Sequence, residues 1–280
     1  MQLHKEMTIN RRYQDLLREV LLNGDPVAAR NHNTLSSITL PILIFDTFPL
    51  VTIRKTAWKM ALREMEWFLS GETRCPDELL QWWDGQLDSD NHYLSGYGHQ
   101  LLHFNQNING LPDGFNQVKN FIEGINETPM SRRHIMTTWH PIEMANITLI
   151  NDNPNSIATC HGTIVQGFVR RDTISLTVYQ RSADLLLGVP HNWVQWWGFL
   201  LWAANQTELG VGSLRWVFGD AHLYLDQSHL DVVHDLLELP APTEQVSLCY
   251  EPTTDNFKAD DFQVMGDIPE PVTRLRPMRF

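Results

Sequence analysis

Between Asn10 and Leu22, apolar residues recur at helical spacing. Tyr13, Leu16, Leu17, Val20 and Leu21 share one side, and Gly24 stands where a C-cap belongs. From Thr34 to Val51 the pattern turns extended, with β-branched and apolar residues and two prolines. A second amphipathic helix is expected over Thr56 to Ser70, with Trp58, Ala61, Leu62, Met65, Phe68 and Leu69 on one side and Gly71 at its end. The polar stretch Asp84 to Gly96 reads as a long loop, a feature that is often functional in compact domains. Thr173 to Gln180 alternates Ile174, Leu176 and Val178 with other residues, which is a strand signal. Pro190 then opens a helix through about Gln206 that is apolar nearly all round, and such a helix belongs in the middle of a core. After Pro240 the chain becomes strand-like, and it ends in a proline-punctuated basic tail, RLRPMRF. There is no internal repeat, low-complexity tract or Gly/Ser linker. One mixed α+β domain spanning residues 1–280 around a large sheet accounts for this pattern better than two domains do.

Composition narrows the class. Apolar content of 42% and charged content of 19% are those of an ordinary globular protein. The opening MQLHKEMTINRRYQ is polar and does not read as a secretory leader. The most apolar window, Trp193 to Ala204, has about half the length of a membrane span and is interrupted by Gln195. A cytoplasmic, non-membrane protein is therefore expected. Three cysteines at unrelated spacings, Cys75, Cys160 and Cys249, argue against a disulfide framework and against a zinc site, so no metal is expected. A formal charge of −12 argues against stable nucleic-acid binding, although a few clustered arginines could still hold one phosphate.

The chemically suggestive pair is Cys160–His161, just before a strand-like run. A thiolate is a strong nucleophile, and neighbouring positive charge favours it. A lone cysteine is more often a small buried hydrophobe. What raises this one is the concentration of polar groups that follows: Gln180, Arg181, Ser182, Asp184, His191 and Asn192. Core-building segments seldom carry so many donors and acceptors unless they bind something.

The run from Cys160 to Asn192, with Tyr-Gln-Arg-Ser-x-Asp at 179–184 and Leu-Gly-x-Pro-x-Asn at 187–192, resembles the thymidylate synthase family. So does the later Gly219-Asp220-Ala221-His222-Leu223-Tyr224. Upstream matches are Phe48-Pro49-Leu50-Val51-Thr52, Glu64 followed by Trp67-Phe68-Leu69, Trp83-Asp84, Tyr97-Gly98 and Ser131-Arg132-Arg133. The resemblance covers most of the chain in order. It implies a large mixed sheet packed with helices and a homodimer formed through the sheet face. It also implies two substrates, dUMP and 5,10-methylenetetrahydrofolate.

By the same resemblance, Cys160 would attack C6 of the uracil, turning C5 into a carbon nucleophile. Arg30, Arg181 and Ser182 match positions holding the nucleotide phosphate, and Arg132 and Arg133 would reach the phosphate in the partner subunit's site. Gln180 belongs to the same nucleotide-binding run. Asn192 matches the residue that reads the uracil edge, and its acidic counterpart goes with deoxycytidylate. His222 and Tyr224 match contacts to the ribose 3′-hydroxyl. Glu64 matches a carboxylate working through water on proton transfers, and Tyr97 a residue linked to loss of the C5 proton. Trp83, Asp184, Gly188 and His191 fall on the folate side.

The chain departs from the family pattern mainly on that side. His191 replaces a usual Phe, Gln195 and three tryptophans replace smaller or apolar residues, and Gln86 replaces a usual Trp. The Arg30 loop lacks its usual Gly, and the tail is Arg-rich. Related nucleotide hydroxymethylases, known from phages with modified DNA, share the early steps but add water to the exocyclic methylene. A wetter pocket fits that outcome, so the expected product is 5-hydroxymethyl-dUMP, with reductive methylation to thymidylate as the alternative. A catalytically inactive nucleotide- or RNA-binding homologue is a third reading, opposed by retention of Cys160, Arg181, Asn192 and Glu64.

Overall fold

The computed structural model describes residues 7–28, 33–93, 96–106, 112–141, 162–243 and 246–268. Helix α1 (Ile9–Asn23) is capped by Thr8, whose side chain accepts from the Arg11 amide, and it buries Tyr13, Leu16, Leu17 and Val20. The extended segment that follows resolves into three strands, β1 (Asp25–Ala28), β2 (Asn33–Ser37) and β3 (Leu43–Phe45). Helix α2 (Trp58–Ser70) ends where Gly71 takes a left-handed φ of 76°, the C-terminal stop its sequence announces. The expected loop after it is closed rather than open. The Tyr93 amide donates to Thr73 and the Cys75 amide to Asn91, so the segment folds back on itself.

Two short helices, α3 (Tyr97–Leu102) and α4 (Gln117–Glu127), lead to β4 (Ile135–Thr137). Strands β5 (Thr163–Arg170) and β6 (Thr173–Asp184) form an antiparallel hairpin, and the strand expected at 173–180 runs on to Asp184. Helix α5 (Gly188–Gln206) then crosses to β7 (Gly210–Tyr224), which pairs with β6 in parallel. Helix α6 (Gln227–Glu238), with Asp226 as its N-cap, and a small hairpin of β8 (Ser247–Tyr250) and β9 (Phe262–Met265) complete the described chain.

The main sheet has seven strands in the order β1-β2-β7-β6-β5-β4, with β3 also paired to β7. Strand β7 is long enough to take two antiparallel neighbours in succession, β3 along Leu214–Trp216 and β2 along Ala221–Tyr224. A mixed sheet with helices is the α+β architecture the sequence implied. One face carries the core: Val165, Ile174, Leu176, Val178, Leu214 and Trp216 are all buried. On the other face, paired or adjacent positions project Ile44, Ile164 and Tyr179, which are 50%, 41% and 37% exposed. No helix among the described residues is long and apolar enough to cross a membrane.

Helix α5 is buried nearly all round, as its composition requires, with Trp193, Val194, Phe199, Leu200 and Ala203 essentially inaccessible. It approaches α2 closely because Gly198 has no side chain; a Cβ there would lie 2.5 Å from Leu62 Cδ2. Trp193 packs against Phe45 at 4.9 Å and edge-on to Tyr13 at 6.3 Å between ring centroids. Its indole nitrogen has no hydrogen-bond partner among the described residues. Trp193→Ala is expected to cost about 4 kcal/mol, whereas Trp193→Phe should cost much less because no hydrogen bond is lost. Chemical denaturation of the two variants checks the difference.

Candidate active site

A pocket opens between α2, α3, α5 and the strands β5, β6 and β7, lined among others by Glu64, Trp83, Tyr97, Gln180, Asn192 and Gln195. Each polar group reaches it for a local reason. Glu64 sits at the margin of the apolar stripe of α2. Asn192 and Gln195 are three residues apart on α5 and so project from one side of it. Gln180 points inward because the alternation along β6 puts it on the core face with Val178.

These groups form one directional chain of hydrogen bonds. Gln180 Nε2 donates to Asn192 Oδ1 at 3.0 Å, and Asn192 Nδ2 donates to Gln195 Oε1 at 3.0 Å. Gln195 Nε2 donates to Glu64 Oε2, and the other carboxylate oxygen accepts from Trp83 Nε1 at 2.6 Å. Burial pushes the Glu64 carboxyl up to about 7, while the Trp83 and Gln195 donors pull the other way by favouring its charged form. A carboxyl poised near neutrality can both take and return a proton. Asn192 keeps one amide hydrogen and one oxygen lone pair beyond these bonds. Gln180 Oε1 is buried with no partner among the described residues, an acceptor left for something in the pocket.

Cys160 and His161 lie outside the described residues, as does Arg30. Thr163 lines the pocket and is tied to Thr138 by the Thr138 amide donating to the Thr163 carbonyl and the Thr163 amide donating to Thr138 Oγ1, both at 2.9 Å. Cys160 stands three positions before it in sequence, a span of at most roughly 10 Å. Gly162 has a φ of 30°, and a Cβ on it would meet Trp139 at 2.7 Å and Arg181 Nε at 3.0 Å. Gly162 therefore lies beside the Arg181 guanidinium, which is 5.0 Å over the Trp139 ring.

Other expected site residues have definite local partners. Asp184 accepts from the Leu186 and Leu187 amides at 2.9 and 3.0 Å, shaping the turn into α5. A Cβ on Gly188 would meet Asn192 Oδ1 at 3.4 Å and Asp184 Cβ at 3.9 Å. In the sheet Ser182 pairs with Asp220 and Asp184 with His222. Asp220 accepts from Ser36 at 2.6 Å and meets His222 Nδ1 at 3.2 Å; the His222 contact, more than any other, holds its carboxyl below the usual range. Tyr224 stands edge-on to His222. Tyr97 stacks on Phe68 at 4.6 Å. Arg132 and Arg133 are exposed beside β4 and do not line the pocket of their own chain.

His191 departs from the expectation of a wetter pocket. Its Nδ1 bonds the Leu187 carbonyl at 2.7 Å, and its Nε2 accepts from the Ala57 amide at 3.3 Å, so both ring nitrogens are taken by backbone. Burial, with Arg54 nearby, drives its pKa down to about 3, so the ring is neutral and pins α5 to the start of α2. Trp83 likewise serves Glu64 with its one donor. Gln195 is the site residue whose role sequence reasoning missed; the available signal was a lone amide three residues after Asn192 in an otherwise apolar helix.

The family model described as thymidylate synthase matches residues 11–276. This chain belongs to the thymidylate synthase family. It is 30% identical over 273 residues to the thymidylate synthase of Corynebacterium aurimucosum, covering 94% of this chain and 96% of that protein. It is 29% identical over 294 residues to the thymidylate synthase of Mycoplasma genitalium, covering 91% and 95% respectively. The resemblance read from the motifs thus holds over nearly the whole length. Membership in the thymidylate synthase family makes the chain a one-carbon transferase by kinship. Neither relative's name distinguishes a hydroxymethylase.

Proposed function

We propose that the chain transfers a one-carbon unit from 5,10-methylenetetrahydrofolate to C5 of dUMP and reduces it to methyl, giving thymidylate. The observation that carries this is the amide chain from Gln180 to Glu64, which leaves on Asn192 one donor and one acceptor, the complement of uracil O4 and N3–H. Two curated relatives named thymidylate synthase support the reductive outcome. The Cys160 thiolate adds to C6, and its electron pair displaces the ring π pair toward C5 and O4. The nucleophilic C5 then bonds the one-carbon unit. Loss of the C5 proton expels the tetrahydrofolate nitrogen and leaves an exocyclic methylene; hydride from that tetrahydrofolate adds to the methylene as Cys160 departs from C6, giving thymidylate and dihydrofolate. Glu64, near neutrality, suits the proton movements, and Arg181 suits both the phosphate and the thiolate.

Dimer formation belongs to the same proposal. The apolar side chains on the bare sheet face support a second copy there, and the distance of Arg132 and Arg133 from their own pocket suits a role in the partner's. One observation favours a second reading, 5-hydroxymethyl-dUMP as product: Gln195 places an amide in the pocket wall against Glu64. Mass spectrometry of the product after incubation with dUMP and methylenetetrahydrofolate decides between them. Thymidylate with equal dihydrofolate is the expected result; 5-hydroxymethyl-dUMP without dihydrofolate would sink the reductive reading.

A further inference from the structure

We infer that Gln195 is a specificity-determining residue, transmitting the charge of Glu64 to Asn192 and so fixing the base edge that Asn192 accepts. The inference rests on Asn192 facing the base, and it goes beyond that reading by assigning what orients the amide. An ionised carboxylate has acceptors only, so Gln195 must face Glu64 with Nε2. That leaves Oε1 toward Asn192, which must answer with Nδ2, as observed at 3.0 Å. Asn192 Oδ1 is then turned toward Gln180 Nε2, also at 3.0 Å. No amide in the series can turn over alone without setting two acceptors or two donors against each other. With the chain in this sense, the free donor and acceptor of Asn192 suit uracil. With it reversed, the same two atoms exchange places and suit cytosine, whose ring N3 accepts and whose amino group donates.

Reversal needs a donor at the Glu64 end. Glu64→Gln supplies one in a known direction. Trp83 has only a donor and keeps the oxygen at 64, so the introduced amide nitrogen faces Gln195. Gln195 then turns, Asn192 turns after it, and the Gln180 amide oxygen that now lacks a partner among the described residues becomes the acceptor for Asn192 Nδ2. Gln195→Met has a different effect. It fills similar space but breaks the chain, leaving Asn192 free to adopt either orientation.

Equilibrium binding of dUMP and of dCMP to the full chain, measured by calorimetry at pH 8, tests this without relying on turnover. The wild-type protein should prefer dUMP. Gln195→Met should narrow the ratio of the two affinities by about tenfold or more, and Glu64→Gln should shift it in the same direction. A packing defect weakens both nucleotides alike and leaves the ratio unchanged, so the ratio reports orientation rather than fold. Asn192→Asp is the control for the underlying reading. If it moves the ratio toward dCMP while either of the other two variants leaves it untouched, the polarity inference is overturned and the base-reading role stands. If Asn192→Asp does not move it either, or the wild-type protein binds neither nucleotide, both fall together.

Discussion

Cys160→Ala is expected to lower the release of tritium from 5-tritiated dUMP by about 10³-fold or more, with dUMP binding largely retained. Removing a nucleophile takes away the covalent route and leaves only what binding and electrostatics supply. An uncharged pyrimidine is a poor carbon nucleophile at C5, so little residual exchange should remain. The effect depends on the cysteine being in reach of the bound ring. Thr163 lines the pocket, and Gly162 lies against Arg181. Bleed-through of tritium at the wild-type rate in the alanine variant would remove Cys160 from the mechanism altogether.

Glu64→Gln should separate activity from stability. Turnover should fall by about 10²- to 10⁴-fold, the range for loss of a general acid or base. The folded protein should meanwhile become more stable at pH 8. The Glu64 carboxyl is raised from 4.5 to about 7 by burial. Stability from a group raised in the folded state is fully present below its unfolded value and is lost as pH rises through the folded one. At pH 8 the wild-type protein therefore holds a charge it would rather shed, at a cost of roughly 2 kcal/mol after allowing for the weaker, uncharged hydrogen bonds of the amide. Thermal unfolding should shift upward by about 5 °C at pH 8, and the gain should shrink toward pH 5. A variant less stable than wild type at pH 8 would contradict the burial argument.

Much of the scaffold was legible because periodicity and punctuation agreed. Helix α1 was expected over 10–22 and spans Ile9–Asn23; α2 stops at Gly71 as read; α5 is buried all round as its apolar content demands. Pro190 marks the third residue of α5 rather than its first, because the turn set by Asp184 starts the helix earlier. Strand β7 was not read as a strand. Gly210, Gly212 and Gly219 interrupt its alternation, and its pairing with three other strands is a tertiary fact.

The site's arrangement was legible where motifs were: Gln180, Asn192 and Glu64 come together in one pocket. It was not legible at His191, which reads as an added polar group but spends both nitrogens on backbone. Nor was it legible at Gln195, whose partner Glu64 lies 131 residues away in sequence. Periodicity reports which side of a helix a residue is on; it cannot report what stands opposite.

In helix α5 Trp193 directly follows Asn192 and Trp196 directly follows Gln195, so the groups that would recognise a base alternate with groups that anchor the core. The two sets are inherited as one rigid piece. Ordering the amides on binding then requires little reorganisation, since packing has already ordered the backbone that bears them. The same arrangement restricts how the protein can change over generations. A tryptophan exchanged for a smaller residue would retune selectivity as readily as it loosened the interior, and new preferences for the base would have to arise through repacking rather than through a surface loop.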